Sequence, residues 1–97
     1  MITHIVSFRW KAETTAADID AIRGALSTMP GLVPTIATYQ FGSDLGVSTG
    51  NSDFAVVATF DSLEDWRAYD SHPEHERIRA DFIRPWIAER AAVQFES

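Results

Sequence analysis

The chain has 97 residues, 45% of them hydrophobic and 11% aromatic, with a formal net charge of −6 and no cysteine. That is enough apolar material for one small core, which excludes a disordered chain, and the missing thiols exclude a disulfide framework and thiolate zinc sites. The negative charge argues against nucleic acid or anionic lipid as the main partner, and no apolar run reaches membrane-spanning length, so neither nucleic acid nor a membrane is expected.

The chain opens with a period-two pattern from Ile2 to Trp10, which predicts a strand with Ile2, His4, Val6, Phe8 and Trp10 on one face. No basic region of the kind that begins a secretory signal precedes it, so the expected address is cytoplasmic. Thr15 followed by Asp18 has the spacing of a capping box, and Ile19, Ile22, Leu26 and Met29 recur at helical spacing. Pro30-Gly31 is expected to end this helix, with glycine accepting a left-handed cap. Ile36 to Phe41 reads as a second strand closed by Gly42. Ser43 to Asp53 is then a loop joining it to an antiparallel neighbour.

Phe54 to Phe60 is a third strand, and its unbroken Phe54-Ala55-Val56-Val57-Ala58 run predicts burial on both faces. Ser62 and Asp65 cap a short helix carrying Leu63, Trp66 and Tyr69. Pro73 disfavours helical geometry at His72 and suits the first turn of a new helix, so the chain is expected to break at Ser71-His72-Pro73. In the new helix His75, Ile78, Phe82 and Trp86 share a face, and Pro85 kinks or ends it. Ala91 to Phe95 alternates as a fourth strand.

Strand, helix, strand, strand, helix pair, strand is the order of a ferredoxin-like α+β fold: a four-stranded antiparallel sheet with helices on one face, here a single domain over residues 1–97. The other sheet face then lacks cover. Because the third strand is apolar on both sides, a homodimer with two such sheets face to face, a dimeric α/β barrel, is expected.

Several short motifs run in order along the chain: His4-Ile5-Val6, Pro30-Gly31-Leu32, Phe41-Gly42-Ser43-Asp44, Asp53-Phe54-Ala55, Tyr69 with His72-Pro73-Glu74-His75, and Arg84-Pro85. Together they resemble the stress-responsive dimeric A/B barrel family over essentially the whole chain. The resemblance implies the same dimeric barrel. One branch of that family, the plant olivetolic acid cyclase type, is distantly similar. It implies a cofactor-free polyketide cyclase-like chemistry, with its pocket residues falling on His4, Tyr69, His75 and Trp86. Two polar groups of that branch are replaced here, by Ile22 and Phe54, which puts the same substrate in doubt.

The residues allow a functional and a structural reading side by side. A neutral imidazole at His75 can accept a proton near physiological pH, and it can equally cap or fill a helix start. In one unbroken helix Tyr69 and His75 would sit roughly 240° apart, whereas a break at Pro73 lets them converge. Tyr69 can donate to a carbonyl or enolate oxygen, or can be a core residue with its hydroxyl at the rim. His4 can share a hydrogen bond with either, or serve the backbone. His72 is expected to be exposed or to cap, and the three histidines lack the spacing and the carboxylate of a metal site, so no metal and no cofactor is expected.

The expected role is binding of a small, largely apolar carbonyl compound. His75 would be the base, Tyr69 and His4 its catalytic partners, and Val6, Phe8, Ile78, Phe82 and Trp86 the apolar wall. Two other classes stay open: a non-catalytic stress-response dimer, and a monooxygenase of the kind found among related dimeric barrels.

Overall fold

The computed structural model describes all 97 residues. Strand β1 (Ile2–Trp10) is followed by helix α1 (Ala16–Ser27), a short helix α2 (Met29–Leu32), strands β2 (Thr38–Ser43) and β3 (Phe54–Phe60), helices α3 (Leu63–Asp70) and α4 (Pro73–Ile78), and strand β4 (Ile87–Glu96). A π-helical turn (Arg79–Ile83) and a 3₁₀ turn (Arg84–Trp86) join α4 to β4. The four strands form one antiparallel sheet in the order β2-β3-β1-β4, the ferredoxin-like arrangement. No helix is long and apolar enough to cross a membrane.

Local chemistry sets the helix starts. Thr15 accepts from the Asp18 amide while the Asp18 carboxylate accepts from the Thr15 amide, a complete capping box for α1. Ser62 caps α3 by accepting from the Asp65 amide. His72 lies in extended conformation before Pro73 and its Nδ1 accepts from the Glu74 amide, so the helix break is sealed by a histidine cap.

The structure corrects several boundaries. α1 stops at Ser27, and Pro30-Gly31 lies inside the separate turn of α2 because proline is well placed in a first turn. Gly31 is not left-handed; only Gly46 and Gly50, in the β2–β3 loop, have positive φ. β2 starts later than Ile36 and runs through Gly42 to Ser43, in register with Phe54. β4 begins at Ile87 and reaches Glu96, because β1 offers it partners along its whole length.

Alternation along β1 and β3 sends His4, Val6, Phe8, Phe54, Val56, Ala58 and Phe60 under the helices, where all are buried. Ile22, Leu26, Met29, Val33, Tyr69, Ile78 and Ile83 close the core from above. The opposite face has no helix. There Ile5 lies between Val57 and Val93 in register, Ser7 lies between Ala55 and Ala91, and Arg9 and Glu89 pair at 3.4 Å toward the edge. Val93 and Phe95 are the most open of these apolar groups, at 52% and 46% exposure. β3 is therefore fully buried on one face and half-buried on the other within a single chain.

Candidate functional site

Between the helices and the exposed half of the sheet lies a cavity of about 210 Å³. Its floor is His4, Val6 and Phe8 of β1 with Val56 of β3, and its roof is Ile78 and Ile83. β4 leaves one side open, since its helix-side residues have no helix above them.

Tyr69, at the end of α3, and His75, in the first turn of α4, meet on this cavity. The extended residue His72 and Pro73 redirect the chain between them, and the two rings stack with centroids 4.0 Å apart. Tyr69 also meets the His4 ring edge-on at 6.2 Å, so the phenol sits between two imidazoles.

Hydrogen bonding assigns the tautomers. His75 Nδ1 faces the Asp70 backbone carbonyl at 3.4 Å, and because a carbonyl only accepts, Nδ1 carries the proton and Nε2 keeps its lone pair. His4 Nδ1 lies 2.9 Å from Oε1 of Gln94, its neighbour across the β1–β4 ladder, and donates to it. The same Asp70 carbonyl accepts from Arg79 at 3.0 Å, which brings a guanidinium close to His75.

Burial, reinforced by the Arg79 charge, lowers the His75 pKa from 6.5 to about 4. The ring is therefore neutral across the physiological range and is a weaker base than an unperturbed histidine. Burial lowers His4 as well, against the raising effect of Gln94. It raises the phenol of Tyr69, opposed by the neighbouring Tyr39 hydroxyl, so Tyr69 stays protonated and available as a donor. Burial raises Tyr39 further.

These shifts have a sign that can be measured. Since folded His75 has a lower pKa than the unfolded chain, the unfolded chain takes up the proton first as pH falls. Stability contributed by the neutral ring is whole above about pH 6.5 and is lost as pH falls toward 4, and His4 adds in the same direction. The urea midpoint is expected to fall between pH 7 and pH 4, with a shallower fall in His75→Gln. Identical slopes in the two proteins would show that the ring is not desolvated.

Among the expected residues, His4, Tyr69, His75, Val6, Phe8 and Ile78 line the cavity. Phe82 and Trp86 do not; both are half-buried against the core beside it. The reason is the π-helical turn, in which the Arg84 amide donates to the Arg79 carbonyl five residues back. One extra residue per turn replaces the α-helical sequence Ile78, Phe82, Trp86 with Ile78, Ile83.

Tyr39, Asp70, Arg79, Arg84, Ile87 and Arg90 line the cavity without having been expected there. Period two across Tyr39 and Phe41, whose rings meet at 6.0 Å, is the signal that could have found the tyrosine. The arginines carry no such signal.

Residues 2–97 match the model of the stress responsive A/B barrel domain, Dabb. The chain belongs to the Dabb family. A dimeric ferredoxin-like protein of unknown function from Thermobifida fusca is 44% identical, with 99% of this chain and 90% of that chain covered and a TM-score of 0.92. At lower identity, a hydroxynitrile lyase from Passiflora edulis shares the fold (21% identity, 97% and 90% covered, TM-score 0.84). So does a putative antibiotic biosynthesis monooxygenase from Nitrosomonas europaea (20%, 100% and 98%, TM-score 0.76). No curated protein matches the chain.

Proposed function

We propose that this Dabb protein is a homodimer in which each subunit binds a small, largely apolar carbonyl compound and acts on it as a cofactor-free lyase or cyclase-like enzyme. The observation that carries the reading is the meeting of Tyr69, His75 and His4 on an apolar cavity, with His75 Nε2 unprotonated and Tyr69 held as a donor. A neutral base beside a phenol suits reactions in which a proton leaves while charge develops on oxygen.

Two reactions fit that description. In the first, Nε2 removes a proton next to a carbonyl and Tyr69 donates to the enolate oxygen, the step that opens an aldol cyclisation. In the second, Nε2 takes the hydroxyl proton of a 2-hydroxynitrile. The carbon–carbon bond to the nitrile then breaks, cyanide leaves with the electron pair, the carbonyl forms, and the imidazolium returns the proton to cyanide. A hydroxynitrile lyase shares this fold, and cleavage of a hydroxynitrile is a reaction of this kind. A volume of about 210 Å³ is below the usual range of roughly 300–1,000 Å³ for ligand pockets, which favours a single-ring or short-chain compound.

The reading is tested with two probes. Mandelonitrile cleavage is followed by release of benzaldehyde, and deuterium exchange at the α-carbon of 1-phenylpropan-2-one is followed by NMR. Acceleration of either above the buffer rate, lost in His75→Gln, is the expected result. Neither reaction and no binding of the ketone would leave the non-catalytic dimer.

A further inference from the structure

Three arginines stand on the cavity wall, in a chain whose formal net charge is −6. Two are engaged. Arg84 forms a two-point pair with Glu76 at 2.7 and 3.0 Å, and Arg79 pairs with Glu76 at 2.9 Å and with Asp70 at 3.3 Å.

Arg90 is different. It projects from β4 on the helix side, opposite Phe8 in register, and makes no side-chain hydrogen bond or ion pair. Its neighbour Glu89 points to the other sheet face, where it pairs with Arg9. Asp70, the one carboxylate on the cavity wall, is already held by Arg79. The Nε of Arg79 is itself buried without an acceptor. The wall therefore presents one uncompensated cation beside an apolar floor and the His75–Tyr69 pair.

We infer that Arg90 makes the cavity selective for a carbonyl compound bearing an ionised carboxylate, a 2-oxo acid with an apolar body, whose carboxylate pairs with the Arg90 guanidinium. The inference rests on the carbonyl-binding reading above and names the substrate class. Arg90 is exposed at the open side of the cavity, and the planar fork of an arginine matches a carboxylate at two points.

The test uses phenylpyruvate and 1-phenylpropan-2-one, which share the benzyl ketone skeleton and differ by a carboxylate against a methyl group. Affinities for both are measured calorimetrically on the wild-type protein, on Arg90→Gln and on Arg84→Gln. The wild type is expected to favour phenylpyruvate by about tenfold or more, as a hydrogen bond between charged groups allows. Arg90→Gln is expected to remove that preference while still binding the ketone, and an unchanged circular dichroism spectrum shows that the variant is folded. Arg84→Gln is expected to keep the preference, because Arg84 is committed to Glu76. Ketone binding without a preference for phenylpyruvate, or a preference that survives in Arg90→Gln, would overturn the inference and leave the carbonyl reading standing. Failure of both compounds to bind would overturn both.

Discussion

His75→Ala and His75→Gln are both expected to lower turnover of a carbonyl or hydroxynitrile substrate by about 10²–10⁴-fold, the usual contribution of a positioned general base. Glutamine fills similar space but has no basic nitrogen, so it does not rescue the rate. His75 spans no helix end, since the side-chain cap of α4 is His72, and its hydrogen bond to the Asp70 carbonyl is long, at 3.4 Å. Thermal stability at pH 7 is therefore expected to change little in the glutamine variant. A purely structural role predicts the reverse ordering, with a lowered unfolding temperature in His75→Ala and full activity in any variant that stays folded.

Tyr69→Phe is the companion measurement. It keeps the ring stacked on His75 and between the two imidazoles, and removes only the hydroxyl. A fall in kcat with KM unchanged assigns that hydroxyl to the transition state. Unchanged rates in both His75→Gln and Tyr69→Phe would make these two side chains part of the core and nothing more.

Light scattering at micromolar concentration is expected to give about twice the chain mass of 10.8 kDa, and Ile5→Lys is expected to return it to one. Ile5 sits at the centre of the helix-free sheet face between Val57 and Val93, with Arg9 and Glu89 nearer the edge. An apolar middle with a charged rim is the anatomy of a protein interface, and a standard one covers roughly 800 Å² per partner. A two-fold interface repeats every substitution, so one lysine per chain puts two unpaired cations into the same dry contact. At a few kcal/mol for each, dissociation is expected to rise about 10³-fold or more. The lysine points away from the core, so the circular dichroism of the variant should match that of the parent. Ile5→Val should remain dimeric. A dimer that survives Ile5→Lys would show that the sheets do not pack face to face.

The individual strands, the capping box of α1, the Ser62 cap of α3 and the break before Pro73 are legible in the sequence because each depends on neighbours a few residues apart. Period two in Ile2–Trp10 states which side chains share a face, whatever the strand is paired with. The second apolar face of β3 is legible for the same reason, since five apolar residues in succession cannot all face one way.

The cavity depends on distances that no local pattern carries. Phe82 and Trp86 lie where α-helical spacing would aim them inward, but the turn from Arg79 to Ile83 takes up one more residue and presents Ile83 instead. Tyr39 enters from a strand two places away in the sheet, and Arg90 from the far edge, each placed by cross-strand register with β3 and β1. Residue type alone sets the His75 pKa near 6.5. Burial and the Arg79 charge carry it to about 4, because desolvation and charge proximity are properties of the assembled fold.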